Sequence, residues 1–309
     1  MKVGIDLGGS HIGIGLVDEN GIIIKKDQKR ITNAEKEDKN KSIHEYIEDY
    51  IVENIEKFSK EYEIELIGMS IPGTMNKTTI IKSVNLGIEN YNIVDKLKEK
   101  LNKKGFSGIP IKIRNDAKCA AIAENTYGCL KKYKRSIFLT LGTGIGGAVI
   151  INNELLDTGN LPGCEFGHIV IEKDGLLCNC GKKGCWERYA SMKNFKNNLR
   201  KVLNFDESVH GEELLDIIRK NSLKNENYQK IENVVSEFIE NLSIGITNLI
   251  NIFEPEAIGI GGSFVFFEDV FLERLKNKLL EPGNLFNERE NINIETAILG
   301  NDAGIIGAL

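Results

Sequence analysis

The first thirty residues run as short apolar stretches broken by glycine and turn residues. KVGIDL leads into GGS, and HIGIGLV and GIII flank an Asp-Glu-Asn-Gly turn. This spacing predicts a strand meander. A polar segment follows, and the period then changes. Ile43, Ile47, Tyr50, Ile51, Ile55 and Phe58 recur at helical spacing, with Ser42 and Glu45 placed to form a capping box, so an amphipathic helix is expected here. ELIGMSIPG then reads as a buried strand ending at a loop, NIVDKLKEKLNKKG as a helix stopped by Gly105, and IPIKIRND as a further strand. A helix from about Ala117 to Tyr127 and a strand at RSIFLTLG come next.

The second half repeats the opening pattern. FLTLGTGIGGAVIINNELL is again strand, glycine turn, strand and polar turn, as in GIDLGGSHIGIGLVDENGII. Two hairpins alone, or a duplicated domain, would produce this likeness. Further on, Ile231, Val234, Val235, Phe238, Leu242, Ile246, Leu249 and Ile250 form one stripe, predicting a long core-facing helix that ends before Pro255. EAIGIGGS is then a strand running into glycines. Strands alternating with helices in both halves indicate an α/β architecture of two related lobes with a cleft between them. No low-complexity tract interrupts the pattern.

Length agrees with two lobes, since the chain has 309 residues and a single core rarely grows beyond about 250–300. The formal charge of -5 argues against a constitutive nucleic-acid partner, which needs clustered Lys and Arg to neutralise phosphates. No apolar run has the length of a signal peptide, and none reaches the roughly 18 residues of a membrane span, so a cytoplasmic protein without a membrane partner is expected. In that compartment thiols stay reduced, and clustered cysteines hold metal more often than they form disulfides.

Three glycine turns end apolar strands: Asp6–Ser10, Leu141–Gly147 and Gly259–Ser263. Glycine lets a backbone approach a ligand and aim its N–H groups at phosphate oxygens, although tight β-turns use it as well. Together, with Asp6 leading the first, they favour a nucleotide ligand. None matches GxxxxGK[ST], and the glycines of GTGIGG lead into a strand where the dinucleotide fingerprint requires a helix. Asn115 and Asp116 stand where a strand ends and a helix begins. Asp116 there caps the helix, or accepts a proton from a substrate hydroxyl during phosphoryl transfer, and the two roles are compatible.

The stretch GCEFGHIVIEKDGLLCNCGKKGCWERYAS concentrates the remaining chemistry. His168, Cys178, Cys180 and Cys185 supply one imidazole and three thiolates, the ligand set of a closed tetrahedral zinc site. Cys119, Cys129 and Cys164 read as spare small residues. Glu165 and Glu187 flank the metal ligands, and carboxylates are suited to accept hydrogen bonds from vicinal sugar hydroxyls.

These motifs resemble the ROK family, the sugar kinases and repressors of bacteria within the actin-like, hexokinase-like ATPase superfamily. The resemblance rests on DLGGS, RNDAKCAA, LGTGIGG, GCEFGHIVI, CNCGKKGCWERYAS, INIFEPEAIGIGGS and the ending LGNDAGIIGAL, and covers nearly the whole chain. It implies two actin-like (ribonuclease H-like) α/β lobes with an interlobe cleft. The expected division is residues 1–112, with a helix at about 301–309 packing back on them, and residues 113–300, which carry the zinc loop.

The implied activity is ATP- and magnesium-dependent phosphorylation of a hexose or amino sugar, usually at the 6-hydroxyl, with structural zinc. Asp116 becomes the catalytic base and Asn115 a sugar contact. Glu165, His168 and Glu187 bind hydroxyls near the anomeric end, and Gly73 lines the pocket. His168 then holds zinc through one ring nitrogen and meets sugar through the other. The donor falls to Asp6, Gly8, Gly9 and Ser10, to Gly142, Thr143, Gly144 and Gly146, and, near adenosine, to Gly261, Gly262 and Ser263. The family also implies a homodimer.

Departures from the family pattern are His11 after the first turn and NLGIENYN, so substrate choice is assigned to the loop around Asn85 and Tyr91, with Asn85 as a sugar contact. Glucose is the first expectation, with N-acetylmannosamine, N-acetylglucosamine, allose and fructose as alternatives. A repressor of this family carries a winged-helix domain ahead of the first strand, for which Asp6 leaves no room. A non-catalytic sugar-binding regulator is the remaining rival.

Overall fold

In the computed structural model, residues 1–32, 41–156, 164–221, 223, 225–288 and 290–309 are described. The polar segment ahead of the first helix and Gly163 of the GCEFGHIVI motif lie mostly or wholly outside them. The chain forms two compact units: Met1–Lys131 with Glu154–Gly163 and Leu299–Leu309, and Lys132–Asn153 with Cys164–Ile298. The expected boundary at 112/113 falls inside the first unit, within a strand that completes its sheet.

The first unit is built on strands β1 (Lys2–Leu7), β2 (His11–Val17), β3 (Ile23–Arg30), β4 (Leu66–Ile71) and β8 (Ile111–Asn115), in the order β3-β2-β1-β4-β8. The meander read from the sequence is the antiparallel half, β1 with β2 and β2 with β3. β4 then adds parallel to β1, and β8 parallel to β4. Both of these strands need helical crossovers. The first is α1 (Ile43–Phe58), whose predicted capping box is present: Ser42 Oγ accepts from Glu45 N–H at 3.3 Å, and Glu45 Oε2 accepts from Ser42 N–H at 3.1 Å. The second is α2 (Ile93–Lys103), which stops ahead of Gly105 at φ 88°. Between β4 and α2 the chain adds a small sheet, β5 (Thr74–Met75), β6 (Ile80–Ser83) and β7 (Ile88–Tyr91), which the sequence pattern does not announce.

The C-terminal helix Ala303–Gly307 lies against β1 and β4 of the five-stranded sheet at unusually close range. A Cβ at Gly4 would collide with the Ile305 carbonyl, and one at Gly68 with that of Ala308. Gly307 in turn abuts the Cys119 carbonyl of α3 (Asp116–Thr126). Glycines in the central strands therefore set the helix-to-sheet distance.

The second unit repeats the scheme. β9 (Arg135–Leu141) and β10 (Ile145–Ile151) form an antiparallel hairpin, β11 (Ala257–Gly262) joins parallel to β9, and β12 (Ile294–Thr296) parallel to β11. The predicted stripe lies on the longest helix of this unit, Tyr228–Phe253, and every residue named for it is buried. The helix ends at Glu254, which turns left-handed at φ 43° ahead of Pro255. Phe195, Phe238 and Phe271 pack ring to ring at 4.7–5.0 Å between centroids, joining that helix to Met192–Leu203 and Glu268–Leu279. Among the described residues, no helix is long and apolar enough to cross a membrane.

Candidate functional site

In the first unit the polar chemistry gathers at the ends of β1, β4 and β8. Asp6 stands opposite Gly13 of β2 and Ser70 of β4. Ser70, the lone hydroxyl in an otherwise apolar buried strand, donates to Asp6 Oδ1 at 2.7 Å. Gly304, at the start of the C-terminal helix, has no Cβ to strike the Asp6 carboxyl. Loss of water around Asp6 raises its pKa, against the lowering effects of the Ser70 bond, His11 and Lys26. The turn that follows is closed by Gly8 N–H on the His11 carbonyl at 2.8 Å. A Cβ at Gly9 would be 3.0 Å from that of Asn85, so this turn and the Asn85 loop touch.

The sequence offers Asp116 as a helix cap, but in the structure Asp116 lies one residue past the cap. The N-cap of α3 is Asn115, whose Oδ1 accepts from Ala117 N–H at 3.0 Å and Lys118 N–H at 3.3 Å. Its Nδ2 donates to the Gly73 carbonyl at 3.1 Å. Asn115 thus takes over the capping role and fixes the loop carrying Gly73, leaving Asp116 at the first helical position. Asp116 Oδ1 accepts from Ala117 N–H at 2.9 Å. Its surface reaches solvent, yet protein surrounds it densely. Desolvation pushes its carboxyl up to about 6, the Ala117 N–H opposes this, and the Asp6 charge adds to it.

Gly73 has φ 109°, and a side chain there would run into the Lys82 backbone. Gly73 and Asn85 line one cavity of about 240 Å³ beside Pro72, Thr74, Ser83 and Val84. Gly73, Asn85 and Asn115 are therefore neighbours in the first unit.

In the second unit, His168 closes a short 3-10 turn, Phe166–His168, and the cysteines follow on a loop bent by Gly181 (φ 88°) and Gly184 (φ 76°). The isolated bridges Val170 to Cys185 and Leu177 to Lys183 hold this loop closed. Cys178 Sγ lies 3.6 Å from His168 Nδ1, Cys180 Sγ lies 3.6 Å from Cys185 Sγ, and all four ligand atoms fall within 4.8 Å of one another. A tetrahedron with Zn–S bonds of ~2.3 Å has edges of ~3.8 Å, so the donor set and its spacing fit zinc. Burial raises the Cys178 thiol to about 12 and also raises that of Cys185, whereas the Lys182 backbone N–H lowers that of Cys180. A divalent cation is what such desolvated sulfurs need to ionise.

Of the two flanking acids, the structure brings one to the cluster. Glu187 Oε1 is 3.3 Å from Cys178 Sγ, which donates to it, and 3.8 Å from His168 Nδ1. Glu165 is exposed, and among the described residues its carboxylate makes no hydrogen bond or ion pair. Trp186, between Cys185 and Glu187, anchors the loop. Its indole is fully buried, donates to the Asn241 carbonyl at 2.9 Å, and occupies the space Gly245 leaves open.

The glycine turn between β9 and β10 reaches the same carboxylate. A Cβ at Gly144 would stand 2.6 Å from Glu187 Oε2. Gly142 N–H closes the turn on the Gly144 carbonyl at 3.0 Å, and Gly146 pairs with Thr140 across the hairpin. At the end of β11, Gly262 (φ 74°) passes over the Leu141 backbone, and Gly261 lies against the Phe138 ring. Gly142, Thr143 and Ser263 share one cavity.

The profile of the ROK family matches residues 2–309. The glucokinase of Streptomyces coelicolor is 30% identical over an alignment covering 100% of this chain and 96% of that one. The xylose repressor of Bacillus subtilis is 28% identical over 90% of this chain and 68% of its own. Among solved structures, a ROK family glucokinase from Streptomyces griseus, in complex with glucose and AMPPNP, superposes with a TM-score of 0.77 at 26% identity, covering 99% of this chain and 97% of that one.

Proposed function

The chain belongs to the ROK family, with its actin-like α/β fold, and from this we propose that it is an ATP-dependent kinase that phosphorylates the 6-hydroxyl of a hexose, glucose first among them. The observation that carries the reading is Asp116. A carboxylate at a strand end, uncapped because Asn115 caps the helix, and held at about 6, is ionised at neutral pH while still basic enough to accept a hydroxyl proton.

In this reading Asn115, Gly73 and Asn85 bind the sugar, Asn115 through the amide hydrogen its bond to Gly73 leaves over. Glu165, His168 and Glu187 accept hydroxyls near the anomeric end. Cys178, Cys180, Cys185 and His168 Nδ1 would hold zinc, leaving His168 Nε2 to the substrate. Structural zinc supplies rigidity to the loop that carries these residues. The backbone amides of Gly8–Ser10 and Gly142–Gly146 face donor phosphates, and Gly261–Ser263 lie near adenosine. Asp6 would hold magnesium, which neutralises phosphate charge when bound.

The similarity to a xylose repressor supports a second reading, a regulator that binds sugar without phosphorylating it. One experiment separates them: ATP consumption by the purified chain over glucose, N-acetylmannosamine, N-acetylglucosamine, allose and fructose. Sugar-dependent turnover with glucose preferred is expected. Sugar binding without ATP consumption on every member rejects the kinase.

A further inference from the structure

The helix Met192–Leu203 has two unlike faces. Met192, Phe195, Leu199 and Leu203 are buried, while Lys193, Lys196 and Arg200, three and four residues apart, share a cationic face. The helix start is tied to the glycine turn, because Lys193 N–H donates to the Gly142 carbonyl at 3.0 Å. Lys193, Lys196 and Arg200 join Gly142, Thr143 and Ser263 in lining a cavity of about 350 Å³, which Glu207 also borders.

Lys196 is half-buried, its Nζ 3.5 Å from Ser263 Oγ and 5.6 Å from the centroid of the Phe267 ring. Arg200 is held by its own bonds, Nε to the Val209 carbonyl at 2.9 Å and Nη1 to Asn197 Oδ1 at 3.0 Å. Among the described residues none of the three cations forms an ion pair with a carboxylate. Burial, and secondarily the Arg200 charge, hold the Lys196 amine below its ordinary range. Like charges on one face, with one partly desolvated and no carboxylate in ion-pair range among the described residues, are unfavourable until an anion enters. The helix N-terminus at the same cavity adds partial positive charge.

We propose that this cavity is an anion subsite for the phosphate chain of the phosphoryl donor, with Lys196 as its central contact and Lys193 and Arg200 as flanking charges. The proposal rests on the kinase reading above and extends it to residues outside the glycine turns. Lysine ammonium groups serve phosphate as point charges and do not demand one fixed geometry. A nucleotide and an inorganic polyphosphate present this same chemistry, so the test carries both.

The full-length chain and its Lys196→Gln variant are titrated calorimetrically with ADP, adenosine and inorganic tripolyphosphate. Losing a charged contact of this kind weakens binding by about tenfold. The expected result is that loss for ADP, an unchanged affinity for adenosine, and recovery in Lys196→Arg. Equal ADP affinity in Lys196→Gln and the parent, or an equal loss for ADP and adenosine, overturns the subsite. A parent that binds tripolyphosphate through Lys196 but does not bind ADP keeps the subsite and rejects ATP as donor. A parent that binds neither rejects both proposals. Should Lys196→Gln fail to fold, Lys193→Gln, at an exposed position, gives the same test with a smaller expected loss.

Discussion

The two units solve one backbone problem twice and load the result with opposite chemistry. In each, an antiparallel hairpin turns on glycines and its first strand takes a parallel neighbour on the other side, β4 beside β1 and β11 beside β9. Around the first turn stand acids, Asp6 and Asp116, each with its carboxyl pushed up by loss of water. Around the second stand cations on Met192–Leu203, with a Cys3His cluster and Glu187 close behind. Glycine turns supply backbone N–H groups and room. In the proposed reading, what surrounds a turn decides whether it handles protons, metal or phosphate charge. If this division of labour holds, damage on the acidic side should strike turnover, and damage on the other side should strike binding.

The largest effect belongs to Asp116→Asn. Turnover should fall by about a hundredfold or more, with sugar and nucleotide affinities little changed. The parent's kcat/KM should drop about tenfold for each pH unit below about 6, and the variant should lose that limb. Stability gives an independent check of sign. The folded-state pKa of Asp116 is raised, so the native chain keeps its proton longer than the unfolded one, and this group's contribution falls as pH rises from about 4 to about 6. Asp116→Asn should therefore melt higher than the parent at pH 7 and level with it near pH 4. Near-parental kcat in a folded Asp116→Asn protein removes Asp116 from the acidic side's task.

Next in size is Cys180→Ser on the other side. Removing one of four ligands should abolish stoichiometric zinc in the purified chain. It should also weaken sugar binding by roughly 10–100-fold, because His168 and Glu187 are oriented by the same loop. Atomic absorption and calorimetry read the two separately. Zinc lost with sugar affinity intact would make the cluster a staple for the fold alone.

How much of this was legible in the sequence depends on the range of the interaction. Local rules performed well. The Ser42–Glu45 capping box, the stop at Gly105 and the stripe ending before Pro255 are set by residues within a few turns of one another, and all are present. The Cys3His grouping was equally legible, since three cysteines within one loop leave little freedom. Interactions between distant segments were harder to read. That Gly4 and Gly68 make room for the C-terminal helix, or that Trp186 needs Gly245, depends on which segments meet. The cap falls on Asn115 and not on Asp116 because β8 ends one residue earlier than its apolar pattern suggests, and the Asn115 side chain takes the Ala117 and Lys118 N–H groups, so the helix already begins at Asp116. The cations at 193, 196 and 200 look like an ordinary solvated helix face until the glycine turn is seen beside them.

The smallest effect tests the acidic side where its support is least visible. Ser70 is fully buried, and its hydroxyl reaches Asp6 Oδ1 at 2.7 Å from the neighbouring strand. In Ser70→Ala the carboxyl loses this donor while remaining desolvated, so its pKa should rise further above the ordinary carboxylate range. The expected loss of stability at pH 7–8 is about 1 kcal/mol, the usual size for one such bond. Because the bond favours the ionised form, its loss should matter less as pH falls through the folded-state pKa of Asp6, so parent and variant melting temperatures should converge in acid. Chemical denaturation at pH 8 and pH 4 measures both limbs. A loss equal at the two pH values would mean that Ser70 fills space beside Asp6 and leaves its charge alone. The acidic character of the first turn would then rest on Asp6 and Asp116 without help from β4.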